Sequence, residues 1–121
     1  MNIAKNSMKL ILKYNKNIDD IITIIGPCLA KENFEVSINF KDNFIKSDPN
    51  YKKFFTKKNL DKDLFDIREL INFQFKKLGV TNIFNLKENT YLNNKLFFSQ
   101  RRATHEKLSE TGRMINIISF R

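Results

Sequence analysis

Acidic residues are scarce in this chain, and so are the residues that most often carry chemistry. Its 121 residues include no tryptophan, one cysteine (Cys28), one histidine (His105), three glycines and two prolines. A single cysteine excludes an intrachain disulfide and points to a reducing compartment. A catalytic zinc usually takes three protein ligands in fixed geometry. Cys28 and His105 lie far apart in no ligand-spacing pattern, so the chain by itself offers no metal site. There is no glycine-rich phosphate loop and no Ser/His/Asp constellation. No run approaches the roughly 20 apolar residues that a membrane span needs. The basic segment Met1 to Lys16 lacks a continuous apolar stretch and a small-residue cleavage site, so it does not read as a signal peptide. The expected location is the cytoplasm.

What is present suits a folded protein. The chain is 41% hydrophobic and 12% aromatic, and its length sets a limit of one domain. Lys and Arg number 22 against 13 Asp and Glu, a net charge of +9. Clustered positive charge can mark a nucleic-acid or acidic-membrane partner. Here Lys, Asn, Ile and Phe are over-used together, as an AT-rich genome would produce. The basic pairs Lys52-Lys53, Lys57-Lys58 and Lys76-Lys77 are scattered among acids such as Asp61, Asp63 and Asp66. A solvated face explains them better than a binding stripe does. A small basic nucleic-acid-binding module stays as an alternative resting on charge alone.

Apolar periodicity predicts the elements. Ile3, Met8, Ile11 and Leu12 recur at helical spacing, giving an amphipathic helix over Asn2 to Tyr14. Asn15 to Asp20 is a polar turn. The run Ile21 to Ile25 reads as a buried strand stopped by Gly26-Pro27. Val36, Phe40 and Phe44 stand four apart, which predicts a helix over Val36 to Lys46 ended by Ser47-Asp48-Pro49. Asn50 to Lys62 is a lysine-rich connection holding Phe54-Phe55. Asp66 at an N-cap, with Glu69 three residues on, forms a variant capping box. It opens a helix with the stripe Ile67, Leu70, Ile71, Phe75 and Leu78, and Gly79 is its stop. Val80 to Leu86, Leu96 to Ser99 and Arg113 to Phe120 have strand composition. Interleaved strands and helices imply a layered α/β or α+β fold.

Three segments, in order and spacing, resemble the C-terminal half of the laccase-domain family of purine nucleoside phosphorylases and polyphenol oxidases. They are Ile25-Gly26-Pro27-Cys28 with Phe34-Glu35-Val36; Phe65-Asp66-Ile67 leading to Leu78-Gly79-Val80; and Phe97-Phe98-Ser99-Gln100-Arg101-Arg102 with Thr111-Gly112-Arg113-Met114. The resemblance implies a layered sandwich with a mixed sheet, of which residues 1–121 would be one partial domain. It implies phosphorolysis of purine nucleosides such as adenosine and inosine, with deaminase, methylthioadenosine phosphorylase and polyphenol oxidase activities in the family. It also implies zinc or copper, held in full-length members by two His and one Cys in segments upstream of the matched region. One of those segments carries a tryptophan, which this sequence lacks. Two positions depart from the pattern: Gln100 stands where an aromatic is usual, and Asn89 where a cysteine is common.

No residue here is a catalytic candidate on these grounds. Substrate-side candidates are Phe98, Ser99, Arg101, Arg102 and Arg113. Guanidinium groups fork onto phosphate oxygens, and aromatic faces suit flat bases. Each has a plainer alternative. Phe97-Phe98-Ser99 is explained at least as well by a core strand, and one of the arginines could pair with a carboxylate such as Asp66. Cys28 reads as a small half-buried loop residue, and His105 as a solvated loop histidine. Two uses of the chain follow: a non-catalytic fragment with exposed apolar surface and a tendency to self-associate, or a completing subunit whose partner half supplies the metal ligands. Purine nucleoside and phosphate would be the ligands of the completed enzyme.

Overall fold

The computed structural model describes residues 3–14 and 17–119. Elements run in the order α1 (Ile3–Tyr14), β1 (Ile22–Ile25), β2 (Glu35–Ser37), α2 (Ile38–Ser47), β3 (Phe55–Lys57), β4 (Lys62–Phe65), α3 (Ile67–Lys77), β5 (Asn82–Asn85) and α4 (Gln100–His105). Two sheets form. β1 and β5 pair in parallel, with Ile24 opposite Phe84, and β2-β4-β3 is antiparallel. The mixed α/β class is as expected from the interleaved pattern.

The sequence-based boundaries shift where tertiary pairing competes with local pattern. Asn2, the expected start of α1, lies outside the described residues. Val36, taken for the first turn of α2, is instead a buried β2 residue opposite Asp63. Ser37 then caps the helix, its Oγ accepting the Phe40 N–H at 3.2 Å. The Asn50 to Lys62 connection is ordered as a 3-10 helix over Pro49–Phe54 followed by β3. β1, expected as a buried strand, is buried at Ile25 but exposed at Ile22 and Ile24. Leu96 to Ser99 forms turns and a cap, not a strand. No strand is assigned over residues 113–119, and Phe120 lies outside the described residues.

α3 starts as predicted: Asp66 Oδ1 accepts the Glu69 N–H at 3.0 Å. The reciprocal half of the capping box is not made. The Asp66 N–H donates to the Phe54 carbonyl instead, and the Glu69 carboxylate accepts from Asn72 Nδ2. Gly79 ends the element at φ +90°, a conformation that a side chain would strain.

Two apolar clusters hold the layers. One joins Met8 of α1, Ile21, Val80, Phe75 and Ile83, so that α1 and α3 cover the inner face of the β1/β5 pair. The other is built of phenylalanines around Phe65. Beside it Asp63 is buried, and Lys41 Nζ lies 2.5 Å from its Oδ2. That oxygen meets no hydrogen-bond geometry with any described neighbour, so the attraction is ionic.

Glu35 on β2 lies between Lys58 and Lys62. Hydrogen bonds from both ammonium groups lower its carboxyl from the ordinary 4.5 to about 2. A depressed folded-state value stabilises the fold above the unfolded value, and the contribution is lost as pH falls from about 4.5 toward 2. Both lysines are well exposed, so solvent screening holds the gain to about 1 kcal/mol or less. Glu35→Gln should therefore lower the urea midpoint at pH 7 and leave it unchanged near pH 2. An equal deficit at both values would contradict the assignment.

Candidate functional site

The carboxyl ends of parallel strands are where open α/β sheets usually bind ligands, and the candidate residues gather at that end of β1 and β5. The pairing extends past the strands. The Leu86 N–H donates to the Ile25 carbonyl at 2.9 Å, and the Thr90 N–H to the Cys28 carbonyl at 3.1 Å. Cys28 thereby forms a parallel bridge with Asn89 and sits half-buried, as expected.

Asn89 pins this rim. Its Oδ1 accepts the N–H groups of Ala30 and Tyr91 at 3.4 and 3.0 Å, and its Nδ2 donates to Asn33 Oδ1 at 2.7 Å. One side chain thus locks the 28–33 loop onto the 89–91 loop. Arg68, at the start of α3, adds a hydrogen bond from Nη2 to the Glu88 carbonyl at 3.1 Å.

α4 follows because Ser99 caps it: the buried hydroxyl accepts the Arg102 N–H at 3.3 Å. That places the Arg102 guanidinium over three carbonyls. Nη1 donates to Thr90 and Tyr91 at 2.8 and 2.7 Å, and Nη2 to Phe97 at 2.6 Å. Arg101 on the same helix points elsewhere, its guanidinium carbon 5.7 Å from the centre of the Phe34 ring. His105 ends the helix, exposed, with Nδ1 2.9 Å from the Tyr91 hydroxyl.

Phe98 is 53% exposed, so it is not a core phenylalanine. Its ring lies against Gly112, where an added Cβ would fall 2.6 Å from the ring edge. A larger residue at 112 would have to push the exposed ring aside. Two shallow hollows open on either side. One, of about 540 Å³, is lined by Phe98, Ser99, Arg102, Glu110 and Gly112. The other, of about 350 Å³, is lined by Phe98, Gln100, Thr111, Gly112 and Arg113. Arg113 spends one nitrogen on its own loop, with Nη1 donating to the Thr111 carbonyl at 2.9 Å. Among the described residues, no ion pair joins any of these three arginines to a carboxylate.

The structure therefore brings Phe98, Ser99, Arg102 and Arg113 to one pair of hollows and turns Arg101 toward Phe34. Asn89 and Tyr91, which pattern reasoning passed over, help to build the rim. Their partners are remote in sequence, and the one local sign was Asn89 standing in a cysteine position. Among the described residues, no three His, Cys, Asp or Glu side chains cluster closely enough to hold a metal. The donor set of a two-His, one-Cys centre is not met by the described residues.

Comparison with known proteins places the whole chain in one family. A purine nucleoside phosphorylase of Rickettsia prowazekii is 30% identical over 119 residues, covering 97% of this chain and 48% of that protein. The Escherichia coli purine nucleoside phosphorylase YfiH is 32% identical over 102 residues, covering 84% and 40%. The fold is similar to that of the Bacillus licheniformis hypothetical protein YfiH, with a TM-score of 0.71 at 23% identity over 81% of this chain and 39% of that one. The chain spans 48% of the length of the Rickettsia prowazekii relative and less of the other curated ones. The family model described as multi-copper polyphenol oxidoreductase laccase matches residues 1–121, and the chain belongs to that family.

Proposed function

We propose that this chain forms one partial domain of a purine nucleoside phosphorylase, supplying a ligand-facing wall, and that it is inactive by itself. The carrying observation is the gathering of Phe98, Arg102 and Arg113 around Gly112, beyond the carboxyl ends of β1 and β5. It sits on a chain whose curated relatives are named purine nucleoside phosphorylases.

In phosphorolysis a phosphate oxygen bonds to the sugar's anomeric carbon, the glycosidic bond to the base breaks, and the departing base takes up a proton. The products are the free base and ribose 1-phosphate. On this chain, the exposed Phe98 ring offers a face to the purine. Arg113 keeps donors beyond its single engaged nitrogen and suits phosphate oxygens. Arg102 has donors on both terminal nitrogens committed to backbone carbonyls, so it positions the loop and does not grip phosphate. A bound metal would supply Lewis-acid or redox chemistry, and its ligands would come from residues other than the ones described.

The test is reconstitution. The chain is co-expressed with the upstream His- and Cys-bearing part of the Rickettsia prowazekii relative, and adenine release from adenosine and inorganic phosphate is measured. Activity is expected from the pair and from neither part alone. Turnover by this chain alone, or an inert pair that associates, would overturn the proposal. Five of the lysines that a nucleic-acid role would call on are already engaged. Lys41, Lys58, Lys62 and Lys77 face carboxylates, and Lys53 Nζ stands 3.9 Å over the Phe73 ring.

A further inference from the structure

Parallel sheets normally have both faces covered by helices. The β1/β5 pair has α1 and α3 on its inner face and leaves its outer face largely open. Ile22, Ile24 and Phe84 stand there 60%, 51% and 59% exposed, with Ile24 and Phe84 direct cross-strand partners. An apolar ladder of this kind in water marks an interaction surface.

α1 carries an independent sign. Ala4, Met8 and Leu12, four apart, turn to the protein's own core. Ile3, Leu10 and Tyr14, at spacings of seven and four, make a second apolar stripe that is more than half exposed. A helix with two apolar stripes is built to be packed from two sides. Between them run Lys5, Lys9 and Lys13, also four apart, on a helix without one acidic residue. Like charges at that spacing repel, and among the described residues no carboxylate pairs with them.

We infer that the complementary part of the laccase fold packs this chain from two sides, against the outer β1/β5 face and, across the layer, against the outer stripe of α1, and that it presents carboxylates to Lys5, Lys9 and Lys13. The inference rests on the proposed function for the partner's identity. Length favours that occupant over a second copy: the chain covers 48% of the Rickettsia prowazekii relative, which leaves about as much chain again to cover these faces. The net charge of +9 favours an acidic partner over a second, equally basic copy.

The experiment co-expresses the chain with the upstream part of that relative and reads co-elution by size exclusion, together with affinity. Wild type should co-elute. Ile24→Asp and Phe84→Asp should each weaken binding on the order of a hundredfold, as buried hot-spot changes do, while Ile24→Val retains it. Lys9→Glu should weaken it and flatten its salt dependence. Amide exchange over Ile22–Ile25 and Asn82–Asn85 in the wild-type chain should slow on binding, a readout that needs no variant to fold. Unchanged exchange, retained affinity in the Asp variants, a homodimer seated on this face, or no association at all would overturn the inference. An associated pair without phosphorolysis would overturn the proposed function and leave the surface standing.

Discussion

Phe65→Ala should destabilise the protein by about 3–5 kcal/mol, the usual cost of removing a buried aromatic ring and leaving its cavity. Phe65 is 1% exposed at the end of β4, the central strand of the antiparallel sheet. Its ring stacks on Phe55 at 4.7 Å and meets Phe34, Phe40 and Phe44 at 5.2, 5.5 and 5.4 Å. These rings come from β3, the loop before β2, and two successive turns of α2, so one deletion loosens three connections. The backbone would keep its bond from the Phe65 N–H to the Phe34 carbonyl, and the loss is one of packing. Domains of this kind hold about 5–15 kcal/mol in total, so the variant should unfold at a much lower urea concentration. Phe65→Leu, which refills part of the space, should cost less than half as much. A Phe65→Ala midpoint within error of wild type would mean that the phenylalanine cluster is not the stabilising core.

The elements that could be read from sequence are those whose signal is local. α3 was legible because a cap, an apolar stripe and a terminal glycine fall within fourteen residues, and β1 because a β-branched run meets Gly26-Pro27. The antiparallel sheet was not. Its strands are three or four residues long, too short to show a period of two, and what makes them strands is pairing across the chain, such as Val36 with Asp63. The opposite error occurred at residues 96–99 and 113–119, where strand composition found no strand partner among the described residues. Asn116 Oδ1 does come within 3.8 Å of where a Cβ on Gly26 would lie, so the last segment passes the end of β1 without pairing to it. At the site, the family pattern picked out Phe98, Ser99, Arg102 and Arg113, but not what each does. Nothing local distinguishes Arg101, which lies over Phe34, from Arg102, which gathers three carbonyls. Asn89 was invisible as a hub because its partners Ala30 and Asn33 lie 59 and 56 residues away.

That difference between neighbouring arginines gives the second large expected effect. Arg102→Ala should cost about 2–4 kcal/mol, because hydrogen bonds to charged groups contribute about 1.5–3 kcal/mol each and water recovers part of the loss at a half-buried site. The Thr90, Tyr91 and Phe97 carbonyls would lose the group that holds them together, and amide exchange across residues 90–102 should rise. Arg102→Lys should be almost as damaging, since one ammonium cannot reproduce a planar fork reaching three acceptors. Arg101→Ala and Arg113→Ala should change stability by no more than about 0.5 kcal/mol, as surface substitutions usually do. In a reconstituted enzyme the pattern should invert. Arg113→Ala would raise the KM for phosphate with the fold intact, whereas Arg102→Ala would lower the amount of folded protein before any kinetic constant moved. If Arg102→Lys proved as stable as wild type while binding phosphate more weakly, Arg102 would be a ligand-binding residue and its tether to the three carbonyls a secondary feature.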